Sequence, residues 1–368
     1  MPVVTPRLRR RRRAKGLSGF APAGAARDRL SDLPEVRENP GNLRGRFYVP
    51  EGLEGSAPLV VVLHGCTQDA ALYDHGSGWS TLADRHGFAL LFPEQRRANN
   101  SMLCFNWFSA ADTQRGKGEA ASIASMVEAM REAHDLDPER TFVTGLSAGG
   151  AMTAVMLATY PELFAAGAIL AGVAYGCADT VGEALECMGG RAQSDSDSLA
   201  RSVRRASRHK GPWPRVQVWQ GGADNTVVPS NADAIVLQWA ELHGLAAEPD
   251  RVDEVEGHPR RAWLSAKGEP LIEQYMIAGM AHGVPLDGGK DAVGEAGAHM
   301  LDVGLSSTQL IAEFFGIASA AKEARTVRPK RDAEPEPARR ERREKRPEPA
   351  SGPQAVIEKA LRAAGLMR

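Results

Sequence analysis

The sequence predicts an α/β fold: a mainly parallel sheet with helices on both faces. Continuous apolar runs such as Pro58-Leu-Val-Val-Val-Leu-His64 read as strands covered on both sides. Stretches such as Glu119 to His134 carry Ile123, Met126, Val127 and Met130 at helical spacing. The two patterns alternate along the chain, as parallel crossover units require.

Taken in order, Arg44 to Pro50 reads as a first strand and Pro58 to His64 as a second, ending in Gly65-Cys66-Thr67-Gln68. Trp79 to His86 is a short helix, and Phe88 to Phe92 a buried strand closed by Pro93. Thr141 to Val143 ends another buried strand, and the Ala/Met/Leu-rich stretch from Gly150 to Tyr160 is a helix that stops before Pro161. Phe164 to Leu170 and Arg215 to Trp219 are further strands; Asn231 to His243 is a helix with Ile235, Leu237 and Trp239 as apolar candidates. Arg261 to Ser265 and Leu271 to Ile277 flank Lys267-Gly268-Glu269 as a hairpin. Thr308 to Phe315 is the closing helix.

The chain has 368 residues, with 43% hydrophobic and 25% charged, which is ordinary globular composition. A net charge of −1 gives no overall preference for nucleic acid or for an anionic surface. No apolar run reaches the length of about 18 residues that a membrane-spanning helix needs. The ends differ from the middle. Residues 1–40, with the block Arg7-Leu-Arg-Arg-Arg-Arg-Arg13, are expected to be disordered, and no apolar signal region follows the charges. Residues 41–317 form the expected catalytic domain, within which the polar stretch 178–212 is expected to be a cap over the site. Residues 318–353 read as a charged linker. Residues 354–368, with Val356, Ile357, Leu361, Leu366 and Met367 on one stripe, read as an amphipathic helix suited to a partner or an apolar surface.

The candidate chemistry starts at Gly145-Leu-Ser-Ala-Gly149. A serine between strand and helix, with glycine two residues away on either side, is the pattern of a nucleophile elbow. Such a serine needs a base, an orienting carboxylate and an oxyanion hole. Asp224 in Gln220-Gly-Gly-Ala-Asp224 follows a strand and is the candidate carboxylate, ahead of Asp233 inside the next helix. His282 in Gly279-Met-Ala-His282 lies beyond the last strand and is the candidate base, ahead of His258 and His299. The backbone N–H of Ala148 and that of Cys66, with Thr67 as its runner-up, are the candidate oxyanion donors; His64 is expected to brace their loop. The order Ser147, Asp224, His282 is that of an α/β-hydrolase.

Together these motifs resemble the short-chain polyhydroxyalkanoate (poly-3-hydroxybutyrate) depolymerase family of esterases, relatives of feruloyl and acetylxylan esterases. The likeness runs from about Arg44 to Gly316. It includes Leu63-His-Gly-Cys-Thr-Gln68, Phe92-Pro-Glu-Gln95, Cys104-Phe-Asn-Trp-Phe108, Arg115-Gly-Lys-Gly-Glu-Ala120, the elbow, and Gly279-Met-Ala-His282. The resemblance implies an α/β-hydrolase fold and a serine esterase working through an acyl-enzyme on a carboxylic ester, with no metal or organic cofactor. The implied substrate is a 3-hydroxybutyrate ester or oligoester, with a polyester surface or granule as a partner. A soluble feruloyl- or acetyl-esterase is the alternative, and a non-enzymatic binding protein on a hydrolase scaffold the alternative of another class. Trp107 and Trp219 are candidate contacts for the acyl chain. In place of the second, substrate-binding domain of polymer-degrading relatives stand the charged linker and the terminal helix, proposed as a minimal adsorption element. Cys66 with Cys104, and Cys177 with Cys187, are the pairings considered, free thiols being the alternative; bridges would indicate an oxidising compartment. Export is implied by the resemblance and a cytoplasmic location is the alternative. The sequence specifies no oligomeric state.

Overall fold

The structure is a computed structural model that describes residues 28–34, 36–191, 195–289 and 292–319. The Arg block, the charged linker and the terminal helix expected at 354–368 lie outside the described residues.

The strands are β1 (Ser31–Asp32), β2 (Arg44–Tyr48), β3 (Leu59–Leu63), β4 (Ala89–Glu94), β5 (Thr141–Leu146), β6 (Ala166–Leu170), β7 (Arg215–Gly221), β8 (Arg251–Val255), β9 (His258–Leu264), β10 (Pro270–Ile277), β11 (Val284–Leu286) and β12 (Met300–Asp302). The helices are α1 (Ala70–Ser77), α2 (Trp79–His86), α3 (Ala110–Thr113), α4 (Gly118–His134), α5 (Ala148–Thr159), α6 (Val181–Met188), α7 (Ser196–Ala206), α8 (Ser230–His243) and α9 (Ser307–Phe315). Ten strands form one sheet in the order β1-β2-β4-β3-β5-β6-β7-β10-β9-β8. From β4 through β10 all neighbours are parallel; the antiparallel pairs lie at the two edges.

The parallel core explains the continuous apolar runs. Every residue of β3 is buried, and alternate side chains serve opposite faces. Leu59, Val61 and Leu63 join the cluster of α4, α5, α7 and α8. Val60 and Val62 join the cluster of α1, α2 and α9. Helix α5 is buried along its whole length, which is why its sequence is apolar all round rather than striped.

Several expectations need correction. Folded structure begins well before residue 41: β1 pairs with β2, Leu30 is buried, and Arg46 pairs with Asp28 at 2.9 Å. This edge is fastened mainly by ion pairs and carries no apolar run. Pro93 does not close its strand, because β4 continues to Glu94 with Pro93 opposite Gly45 of β2. Helix α1 went unread because Asp74, His75 and Gly76 interrupt its stripe; the Asp69 side chain caps it by accepting from Leu72 N at 2.8 Å. Leu237 is exposed. The stretch 178–212 contains α6 and α7, and they differ: α7 buries Leu199, Ala200 and Val203 in the core cluster of α8, whereas α6 borders the serine.

Candidate active site

Ser147 stands between β5 and α5 with φ 58° and ψ −118°, a left-handed conformation costly for any residue with a Cβ. Its neighbours explain the glycines. A Cβ on Gly145 would lie 2.5 Å from the Gly149 carbonyl oxygen, and one on Gly149 would lie 2.2 Å from the Leu63 carbonyl oxygen. Strand β3, the turn and the helix thus touch backbone to backbone. The bend is pinned by Ser147 N donating to Leu170 O at 2.9 Å and Ala151 N donating to Ser147 O at 2.8 Å.

Asp224 sits in the turn after β7 and is buried. Its Oδ1 accepts from Thr226 N at 2.8 Å and Val227 N at 3.0 Å; its Oδ2 accepts from Gln220 Nε2 at 3.1 Å. The same Oδ2 lies 2.7 Å from His282 Nδ1. With Nδ1–H donating to the carboxylate, His282 Nε2 is the nitrogen left to take a proton. The two loops are built against each other. Ala223 N donates to Met280 O at 2.9 Å, and a Cβ on Gly221 would lie 2.4 Å from that same oxygen. His299, which sequence reasoning passed over, donates from Nδ1 to the His282 carbonyl at 3.1 Å and packs edge-on against its ring. Among the described residues no hydrogen bond joins Ser147 Oγ to His282; such contacts tighten when substrate binds.

The loop after β3 separates the two candidate oxyanion donors there. Thr67 N is committed to Met102 O at 2.7 Å, and Gly65 N to Gln68 Oε1 at 2.8 Å. Cys66 N and Ala148 N have no protein acceptor among the described residues, and both residues border the same cavity as Ser147. Cys66 is bridged to Cys104. His64 braces the loop: its Nδ1 contacts Gly65 O at 2.8 Å and its Nε2 accepts from Gln95 N at 3.1 Å. Burial holds its pKa below the usual imidazole value.

The cavity at Ser147 is apolar. Trp107, Met102 and Val173 form part of it, and Ala184, Leu185 and Met188 of α6 close one side. Asn100 borders it too, but its groups are engaged: Nδ2 donates to Asn106 Oδ1 at 3.0 Å, and Oδ1 accepts from Met102 N and Cys104 N at 3.0 and 3.3 Å. Helix α6 is fastened by the Cys177–Cys187 bridge and by Met188 O, which accepts from Val228 N and Asn231 Nδ2, each at 3.0 Å. The α6 residues were not singled out as site residues, although the stretch 178–212 that contains them was expected to cap the site. Trp219 does not border this cavity. It is buried in the sheet's other core cluster, stacked on Tyr275 at 3.9 Å with Nε1 donating to Gln217 Oε1. Its place on a β-strand turns it to the opposite face. Asp233 pairs with Arg261 at 2.5 Å, and His258 contacts Val303 O; neither joins the site.

The family model "Esterase PHB depolymerase" matches residues 44–255. The chain belongs to this esterase family. Poly(3-hydroxyalkanoate) depolymerase C of Paucimonas lemoignei is 45% identical over 291 residues, 78% of this chain and 70% of that protein. A probable acetylxylan esterase A of Aspergillus clavatus is 32% identical over 269 residues, 71% of this chain and 86% of that protein. Among solved structures, an acetyl xylan esterase from Aspergillus awamori superposes with a TM-score of 0.67 at 27% identity, covering 78% of this chain and 99% of that one. The fold is that of an α/β-hydrolase and the protein is a carboxylic ester hydrolase, which sets aside the reading as a non-enzymatic scaffold. No helix among the described residues is long and apolar enough to cross a membrane.

Proposed function

We propose that the protein cleaves esters of short-chain 3-hydroxyalkanoates through an acyl-enzyme on Ser147. His282 Nε2 takes the Ser147 proton as Oγ attacks the ester carbonyl. Asp224 fixes the imidazole tautomer and stabilises the imidazolium that forms. The carbonyl oxygen, now negative, is received by Cys66 N–H and Ala148 N–H, the latter at the positive end of α5. His282 then returns the proton to the leaving alcohol, and activates the water that releases the acid. The mechanism calls for no metal or organic cofactor. The observation that carries this reading is the 2.7 Å contact between His282 Nδ1 and Asp224 Oδ2, in a molecule whose elbow serine opens into an apolar cavity.

The apolar cavity supports an alkanoyl substrate. A ferulate phenol buried there would find Asn100 already engaged, and burying a hydroxyl without a partner costs about 1–3 kcal/mol. Trp107 is the aromatic wall for the alkyl part. The acetylxylan esterase likeness supports a second reading, an acetyl ester of a carbohydrate. The bridges Cys66–Cys104 and Cys177–Cys187 support action in an oxidising compartment, and hence export. A polyester granule is the insoluble substrate this reading predicts. A fluorophosphonate should label Ser147, and p-nitrophenyl butyrate together with 3-hydroxybutyrate oligomers should be cleaved far faster than acetylated xylan or methyl ferulate. An unlabelled Ser147 would refute the mechanism; a preference for acetylated xylan would favour the second reading.

A further inference from the structure

Three sequence stretches of the family likeness carry none of the triad: Phe92 to Gln95, Cys104 to Phe108 and Arg115 to Ala120. They converge on one buried carboxyl group. Glu119 opens α4 and is fully buried. Its Oε1 accepts from Gln95 Nε2 at 2.5 Å and from Asn106 Nδ2 at 2.7 Å; its Oε2 accepts from Asn106 N at 2.8 Å.

Two routes lead from Glu119 to the backbone of Cys66. Gln95 Nε2 also donates to Cys104 O at 3.0 Å, and Cys104 is bridged to Cys66. Gln95 N donates to His64 Nε2, and His64 Nδ1 contacts Gly65 O. Between β4 and α3 the chain has no regular structure of its own. It also contains Leu103 at φ 57°, next to Met102, whose carbonyl accepts from Thr67 N; Thr67, on the Cys66 loop, has φ 64°. Two loops that each hold a left-handed residue other than glycine keep that shape only when their surroundings over-determine it. An apolar residue at Glu119 would fill the space but offer no acceptor to three N–H groups.

We propose that Glu119 is a positioning residue for the oxyanion hole, holding Cys66 N–H at its station through Gln95, Asn106 and the Cys66–Cys104 bridge. The proposal rests on Cys66 N–H being an oxyanion donor. A displaced donor weakens transition-state binding and leaves ground-state binding untouched. Glu119→Ala removes all three acceptor contacts, Glu119→Gln keeps the two on Oε1, and Gln95→Met removes the links to Glu119 and Cys104 O at nearly constant volume.

The test is kcat and KM for p-nitrophenyl butyrate, with each variant normalised to active sites titrated by a fluorophosphonate. Glu119→Ala should lose about 100-fold in kcat at unchanged KM, as loss of an oxyanion donor does, with Glu119→Gln between it and the parent. Gln95→Met should share the signature, and a boronic acid that mimics the tetrahedral adduct should bind these variants more weakly. If Glu119→Ala does not fold, Glu119→Gln and Gln95→Met decide. An unchanged kcat per titrated site, or kcat and KM shifting together, overturns the proposal while labelling of Ser147 leaves the mechanism standing. Failure of labelling in the parent would instead remove the mechanism on which it rests.

Discussion

Two disulfides flank Ser147 and do different things. Cys66–Cys104 joins segments 38 residues apart and holds a loop without regular structure that carries the proposed oxyanion donor, Cys66 N–H. Cys177–Cys187 spans 10 residues and fastens a regular helix whose side chains line the cavity at Ser147. Behind the first stands a buried polar hub around Glu119. The helix at the second is held by the buried Cys187 and Asn231. The arrangement predicts that changes in the loop act on rate and changes in the helix on selectivity.

The comparison has a common reference: Ser147→Ala should cost about 10⁶-fold in kcat on every ester, and Asp224→Asn about 10⁴-fold, measured with p-nitrophenyl butyrate. A loss that depended on the acyl chain would break the division between rate and selectivity.

Replacing Cys66 and Cys104 together by serine should remove about 4 kcal/mol of stability and lower kcat on short and long esters alike. Replacing Cys177 and Cys187 should remove about 3 kcal/mol, the shorter loop constraining the unfolded chain less. It should alter the ranking of acyl chains and leave acetate hydrolysis within a few fold. Chemical denaturation and an ester series from acetate to octanoate check both, and interchanged kinetic signatures would refute the comparison.

The loop side should also carry a pH signature. Burial, and then the Asp112 carboxylate on α3, push Glu119 up to about 8; burial also raises Asp112 and lowers the imidazole of His64, whose Nε2 accepts from Gln95 N–H. A carboxyl whose pKa is higher folded than unfolded makes the folded state the better proton binder. Its contribution to stability is therefore full below about pH 4.5 and is lost as pH rises through about 8. Between pH 6 and pH 9 the loss should be about 3 kcal/mol, and Glu119→Gln should abolish that slope in denaturation curves taken across the range.

The smallest effect belongs to the helix side. Ala184→Phe should fill the cavity and reduce the preference for butyrate over acetate about tenfold, the value of a methylene or two in an apolar pocket. An unchanged preference would move the acyl group elsewhere.

The legible parts of this molecule are those whose signals are local. The serine turn needs glycines at fixed spacing because β3, the turn and α5 meet backbone to backbone. The order of strand, glycine-rich turn and Asp224, then strand and His282, could be followed along the chain, although His282 follows the last strand of the large sheet only and β11 and β12 come after it. Edge structure was less legible: residues 28–34 are tied on by Arg46 and Asp28 rather than by an apolar pattern, and polar β8 alternates too weakly to read. Trp107 and Trp219 looked alike in sequence, since both read as aromatics at loop ends. The pleat of β7 turned Trp219 into the core against Tyr275, away from Ser147.

By itself the sequence determined a parallel α/β sheet and the three side chains proposed for catalysis, because apolar runs and glycine spacings act over a few residues. Only the tertiary structure decided that Asp224 and His282 meet, 58 residues apart in sequence, that Thr67 N–H is already spent on Met102, that both cysteine pairs are closed, and that α6 rather than α7 walls the cavity. Those are contacts between distant segments, set by how the loops at the carboxyl ends of the strands pack on one another, and no local pattern encodes them.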